Sequence, residues 1–255
     1  MSSLPRPEVV FLDLGDTLIR AHPSWPAVYL SAFPRFGIQA SEAELAEAIR
    51  RATSDGYWAF EGPFDATEEG SFKRMVDLDR RVLAELGHQD LPDELFRAIE
   101  DAFQQRSAWH IFPDVIPALD RLRQEGVRLA VISNWVWGAP ELLHDLELAG
   151  HFESLIVSAR MGYQKPHRAI FDHAIDLMSV APERAIHVGD SYRADVLGAR
   201  AAGITPILID RRLHDPERFA SDVPGDDPVT IIGDLGGLLD LMGVAAQAGA
   251  SRQAS

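Results

Sequence analysis

The amino-acid sequence predicts an α/β fold, with a doubly wound, Rossmann-like parallel sheet as its core and an all-helical cap inserted after the first strand. Three observations carry that expectation. Short apolar runs alternate with stretches of helical periodicity, the order that right-handed βαβ units require. One long stretch, from about Ala21 to Trp109, shows helical patterns and no convincing buried strand. The chain has 255 residues, 46% of them hydrophobic, enough for one large core or two modest ones, which excludes disorder throughout.

The first strand is read at Val9–Leu12, an apolar run that stops at Asp13 and so delivers an acid at its carboxyl end. The inserted segment then carries three helical patterns. One begins at Ser41, where Ser41 and Glu44 have capping-box spacing, and the others run through Phe72–Leu86 and Asp93–Phe103. The loop Thr53–Gly70 is broken by glycines and holds several aromatics, which either pack over a helical hairpin or face a substrate. Strand-like runs recur at Val127–Ile132, Leu155–Val157, Ala185–Val188 and Thr205–Ile209. Helical patterns accompany them at Val115–Glu125, Glu141–Leu148, Arg168–Met178 and Asp195–Ala202, each closing on a glycine or a turn. The expected organisation is a core of residues 1–20 and 108–243, a cap of residues 21–107 and a disordered tail over 244–255, where no core pattern persists.

Lysine and arginine number 24 against 39 aspartate and glutamate, a formal net charge of −15. An acidic field of that size repels nucleic-acid phosphates and anionic lipid headgroups, so neither nucleic acid nor membrane is an expected partner. The absence of cysteine removes disulfides, thiolate zinc sites, iron–sulfur clusters and thiol nucleophiles together. Any metal must bind oxygen or imidazole. The opening residues MSSLPRPEVVFLDLGDTL place prolines and acids where a secretory signal needs an apolar stretch, and no segment approaches the ~18 apolar residues of a membrane span. A soluble cytoplasmic protein is the expectation, with no sequence signal for its oligomeric state.

In an open parallel sheet, ligands bind beyond the carboxyl ends of the strands. Asp13, Gly15, Asp16 and Thr17 follow the first strand, Ser133 and Asn134 the second, and Asp190, Ser191 and Asp195 the fourth, with Lys165 in GYQKPH in the segment between the third and the fourth. A lone acid at a strand end is ordinarily a turn residue. Four loops that bring carboxylates, a hydroxyl and an ammonium to one edge describe a site.

At these residues the sequence resembles the haloacid dehalogenase superfamily, a large group of mostly Mg²⁺-dependent phosphohydrolases with a doubly wound core and a mobile cap. The resemblance spans Val9 to about Leu208 and rests on four ordered motifs. It implies that Asp13 attacks phosphorus in line to form an aspartyl phosphate, with Lys165 bridging Asp13 and the phosphoryl oxygens. Attack by one anion on another also needs a second cation. The resemblance supplies Mg²⁺, held by the carboxylates of Asp13 and Asp190 and the carbonyl of Gly15, with Asp195 as a ligand or as the group that orients that shell. Thr17, Ser133 and the backbone amides around Asn134 are assigned to the phosphoryl group of a small phosphorylated metabolite.

One position departs from the family's usual Asp-x-Asp-Gly-Thr. Here Asp13-Leu14-Gly15-Asp16-Thr17 puts glycine where the acid/base aspartate stands, a loss of general catalysis worth about 10²–10⁴ in rate. Three readings follow: Asp16 takes over as acid/base, the protein is a slow phosphatase for good leaving groups, or the fold serves binding or regulation with weak catalysis. Gly15→Asp is expected to raise activity where the pocket has room. Haloacid dehalogenases also lack the second aspartate, but they work without metal and do not present the acidic pair of Asp190 and Asp195, which would repel a halocarboxylate. Phosphoryl hydrolysis therefore ranks above carbon–halogen cleavage. Arg20 and His22, at the junction with the cap, read as a plain hinge or as substrate contacts, Trp135, Trp137 and Tyr163 as pocket walls or packing residues, and His167 as a helix-start residue without a catalytic role.

Overall fold

The computed structural model describes residues 6–54, 56–57, 60–213, 223–225 and 227–244. Strand β1 (Val9–Leu12) leads to a short β2 (Ile19–Ala21), and the chain then enters four helices: α1 (Trp25–Ala32), α2 (Glu42–Ala52), α3 (Glu68–Glu85) and α4 (Asp93–Gln104). It returns through β3 (Trp109–Ile111), followed by α5 (Val115–Gln124), β4 (Arg128–Ser133), α6 (Ala139–Asp145), β5 (Ser154–Val157), α7 (Ser158–Met161) and α8 (Arg168–Met178). Then come β6 (Ala185–Gly189), α9 (Gly198–Ala201), β7 (Thr205–Ile209), β8 (Thr230–Ile232) and α10 (Leu235–Leu241).

The main sheet has the order β5-β4-β1-β6-β7-β8, and every neighbouring pair is parallel. β1 is central and buried on both sides, which explains its unbroken apolar run. Its side chains alternate between two cores: Val10 and Leu12 pack with residues of α5, α6 and α10, whereas Val9 and Phe11 pack with residues of α8 and α9. The chain passes from β1 to neighbours on either hand, β4 and β6, so the carboxyl end of β1 lies at the switch in strand order.

The inserted helices have their own core, built on Tyr29, Phe33, Leu45, Val82, Leu95 and Phe96. The capping box at α2 forms as read: Ser41 Oγ accepts from Glu44 N at 3.2 Å, and Glu44 accepts from Ser41 N at 2.8 Å. Helix α1 escaped the sequence reading, although Ser24 caps it by accepting from Ala27 N at 3.1 Å. Strands β2 and β3 escaped it too, because three residues are too short for a visible alternation. They pair antiparallel where the chain leaves the core and comes back.

Three further differences have local causes. β8 and α10 were not anticipated; Asp234 caps α10 through Gly237 N at 3.0 Å. The helix expected over Asp195–Ala202 is instead a wide turn through Tyr192–Leu197, in which Val196 N reaches Ser191 O, and then α9. Such wide turns often mark functional sites. Of the expected 244–255 tail, Val244 packs on the core, its N–H bonded to Leu239 O at 2.9 Å, and residues 245–255 lie outside the described residues. No helix among the described residues is long and apolar enough to cross a membrane.

Candidate active site

The parallel ladder runs past β1 for one more bond, from Asp13 N to Val188 O at 2.9 Å, which places the Asp13 side chain at the sheet's edge. There Lys165 Nζ makes three hydrogen bonds: to Asp13 Oδ1 at 2.7 Å, Asp195 Oδ1 at 2.6 Å and Ile132 O at 2.8 Å. All three ammonium protons are thereby used. Lys165 is 2% exposed, and an ammonium that far from water persists only because charge and acceptors surround it. Burial works against its charged form, but Asp13 and Asp195 together outweigh burial and hold it protonated.

Asp195 reaches this point by the wide turn after β6. Its Oδ1 also takes His187 Nε2 at 2.7 Å, and its Oδ2 accepts from Ser191 N at 3.0 Å. Burial would raise its carboxyl, yet Lys165 and His187 hold it well below the usual carboxylate range. Room for it comes from Gly189, where an added Cβ would lie 2.1 Å from Asp195 Cγ. His187 is fully buried and pushed towards neutrality by that burial, so Nε2 carries its proton and donates to Asp195.

Asp13, Asp190 and Asp195 each offer one oxygen, and the three oxygens lie within 4.8 Å of one another. Asp190 is pushed up to about 8, first by desolvation and then by the charges of Asp13, Asp195 and Asp16. Burial likewise raises Asp13, reinforced by Asp195 and opposed by Lys165. Three carboxylates, Asp13, Asp190 and Asp195, around one lysine leave the site short of positive charge. A hard divalent cation with oxygen ligands fits that deficit, and Mg²⁺ is such an ion.

Ser133 is buried, and its hydroxyl closes no hydrogen bond among the described residues. It lines the cleft together with Asp13, Gly15, Asp16, Lys165 and Asp190. Thr17 does not. It is fully buried, and its backbone carbonyl accepts from Arg211 Nε at 3.2 Å. The side chain of Asn134 is also engaged elsewhere: Nδ2 donates to Lys165 O at 2.9 Å and Oδ1 accepts from Lys165 N at 2.7 Å. This reciprocal pair fixes the backbone of the lysine.

Gly15 has no side chain, and an indole covers the place where one would start. A Cβ built there would sit 3.1 Å from Trp135 Cζ3. Trp135 is held from both sides, its N–H bonded to Ser158 Oγ at 3.1 Å and its ring 4.9 Å from that of Trp109. Asp16 takes the left-handed backbone (φ 49°), exposed at the cleft, with no capping bond from its carboxylate among the described residues. Desolvation first, and Asp13 second, raise its carboxyl against the pull of Arg212, Arg20 and Arg211.

A family model described as haloacid dehalogenase-like hydrolase matches residues 7–203. The chain belongs to that family. A phosphoserine phosphatase of Thermus thermophilus is 30% identical over 89% of this chain and 96% of its own length. A glyceraldehyde 3-phosphate phosphatase of Methanothermobacter thermautotrophicus is 35% identical over 51% of this chain and 58% of its own. Among solved structures, the magnesium-bound HAD-hydrolase YfnB of Bacillus subtilis superposes with a TM-score of 0.74 at 20% identity, covering 94% of this chain and all of that one.

Asp13, Ser133, Lys165 and Asp190, one from each of the four segments, line one cleft at the sheet edge. Sequence reasoning missed His187 and the clamp made by Asn134. A histidine inside the otherwise apolar run AIHVG was the one available signal for the first. Arg20 lies over Phe112 at 5.6 Å, and His22 N donates to Ala108 O at 2.8 Å, beside the paired strands β2 and β3. Trp135 walls the cleft, whereas Trp137 lies under Arg160 and its N–H donates to Ser71 Oγ of the cap at 3.0 Å. Tyr163 stacks on His167, which caps α8. In the loop Thr53–Gly70, Tyr57 and Phe64 line the cleft and Phe60 is exposed, while Trp58 lies outside the described residues.

Proposed function

We propose that this chain is a Mg²⁺-dependent phosphomonoesterase that transfers a phosphoryl group from a small molecule to Asp13 and then to water. The observation that carries the reading is the buried carboxylate of Asp13, held at 2.7 Å by Lys165 at the mouth of a large cleft and ringed by acids that call for a cation. The phosphatase names of the two relatives support it.

In this mechanism one Asp13 oxygen stays on Lys165 while the other faces the cleft and attacks phosphorus; the bond to the leaving oxygen breaks as the new bond forms. Ser133 and the backbone amides at Asn134 receive the phosphoryl oxygens. Asp195 keeps Lys165 in place and leaves Asp13 and Asp190, with the Gly15 carbonyl, to hold the metal. Bound there, Mg²⁺ neutralises charge on the phosphoryl oxygens. Asp195 thus acts on the metal shell from behind. A screen of aryl, acyl and sugar phosphates with and without Mg²⁺, run beside Asp13→Asn, tests the reading; turnover that survives in the variant overturns it.

The acid missing at residue 15 limits which esters react. With no proton donor at that position, leaving groups of low basicity, such as phenols and acyl carboxylates, are the substrates of choice. The indole also alters what restoring the acid achieves. Gly15→Asp alone places its side chain against Trp135 and gives no gain, whereas combining it with Trp135→Ala raises turnover of alkyl phosphates by about 10²-fold or more. Equal rates for the single and double variants would contradict this.

The exposed, uncapped carboxyl of Asp16 favours a second reading, in which that residue supplies the proton. Asp16→Asn then lowers alkyl phosphate turnover by about 10²–10⁴-fold and aryl phosphate turnover far less. Equal effects on the two ester classes assign Asp16 to the loop alone.

A further inference from the structure

The cleft beneath the cap has a volume of about 840 Å³. That lies within the range of roughly 300–1,000 Å³ that encloses a drug-sized ligand. Much of its wall is apolar and aromatic, including Trp25, Phe72, Met75, Phe96, Phe103 and Trp135. Asp79 of α3 interrupts this wall although it is only 3% exposed. The Tyr29 hydroxyl donates to its Oδ1, and no other hydrogen bond or ion pair reaches the carboxylate among the described residues. Glu100 of α4 lines the same cleft and adds a second negative charge close to Asp79.

A link that only pinned α1 to α3 would need no ionisable group, because a neutral amide accepts the same tyrosine proton without the cost of desolvating a charge. A buried carboxylate with an unused oxygen, set among aromatic faces and beside another acid, is suited to a cation, since ring faces and carboxylates both attract one. We propose that Asp79, oriented by Tyr29 and supported by Glu100, is a specificity-determining residue that binds a cationic amine on the leaving group. The substrate class is a phosphate monoester of a phenol or other aromatic alcohol whose apolar body ends in an amine. This rests on the phosphatase reading for the phosphoryl end and adds the recognition of the other end.

The amine claim has a test that does not depend on turnover. Phenols carrying an ω-aminoalkyl chain of increasing length, and the matching alkylphenols, are titrated into the full chain while the fluorescence of its tryptophans is followed. At the best chain length the amine binds at least about tenfold more tightly than its alkyl match, and Asp79→Asn brings that ratio close to one. Affinity also rises between about pH 6 and pH 8, because the carboxyl of Asp79 is pushed up to about 7 by burial and its ionised form is the one a cation binds. The titratable groups facing it are Tyr29, Tyr57 and Glu100, and both tyrosines stay neutral over that interval. Equal binding of amine and alkyl compounds at every length, or a preference that survives in a folded Asp79→Asn protein, overturns the proposal. The corresponding phosphate esters are assayed in parallel: failure to hydrolyse any of them, or p-nitrophenyl phosphate, counts against the phosphatase reading, while the titration still decides the amine.

Discussion

Asp13→Asn lowers phosphate ester turnover by about 10⁴-fold or more, the loss expected when a nucleophile is removed from a unit of cooperating groups. The change is close to isosteric and takes one negative charge out of a site that has too many. Lys165 keeps two of its three partners, Asp195 Oδ1 and Ile132 O. Folding should therefore survive, and a thermal melt close to that of the unaltered protein separates loss of chemistry from loss of structure. Steady-state assays with an aryl phosphate and Mg²⁺ measure the effect. A loss of less than about tenfold would show that another group attacks phosphorus.

Lys165→Met acts on stability and activity together. Removing the ammonium leaves Asp13 and Asp195 buried near each other with no cation between them, and breaking a buried ion pair in this way costs about 3–5 kcal/mol. The loss depends on pH, and its sign follows from the surviving partners. Without Lys165 the two carboxyls have folded-state pKa values raised above those of the unfolded chain, so they take up protons more readily when folded. Stability of the variant is then best at low pH and falls as pH rises through those values. Relative to the unaltered protein, the deficit should be small near pH 4 and full near pH 7, a contrast that denaturant titrations at about those two values measure directly. Turnover falls by several orders of magnitude at either pH, because Asp13 loses the cation that holds it and that shields the incoming phosphoryl group. A deficit independent of pH would indicate lost packing rather than unpaired charge.

The core was legible because a parallel strand buried on both faces must be apolar throughout, and because ligand-binding residues cluster after such strands. Asp13 and Asp190 could be collected on those grounds alone, and Lys165 by its place in a Lys-Pro pair ahead of a helix. Residues whose roles depend on distances across loops were not legible in the same way. For Asn134 only the backbone amide had an expected role, and the grip of its side chain on the backbone of Lys165, 31 residues further along, is set by the fold. Thr17 sits one residue beyond the cleft wall, a difference of side-chain direction that spacing does not encode. Asp195 was read on a regular helix, whereas a wide turn swings it beneath Gly189 and onto Lys165. The short strands β2 and β3 and the helix α1 gave too few residues for a period to show. Least visible was the indole over Gly15. The missing acid could be read from the motif, but only the fold reveals that Trp135, 120 positions later, occupies the space.

The central claim is that phosphorus passes through Asp13. Rapid mixing of the Mg²⁺-loaded protein with an aryl phosphate, acid quenching within a turnover and peptide mapping by mass spectrometry test it most directly. With no acid at residue 15 to activate water, the intermediate should build up. The account predicts a peptide carrying Asp13 that gains the mass of one phosphoryl group and is unmodified in the Asp13→Asn protein. Turnover with no adduct at any time, or an adduct on a different residue, would contradict it.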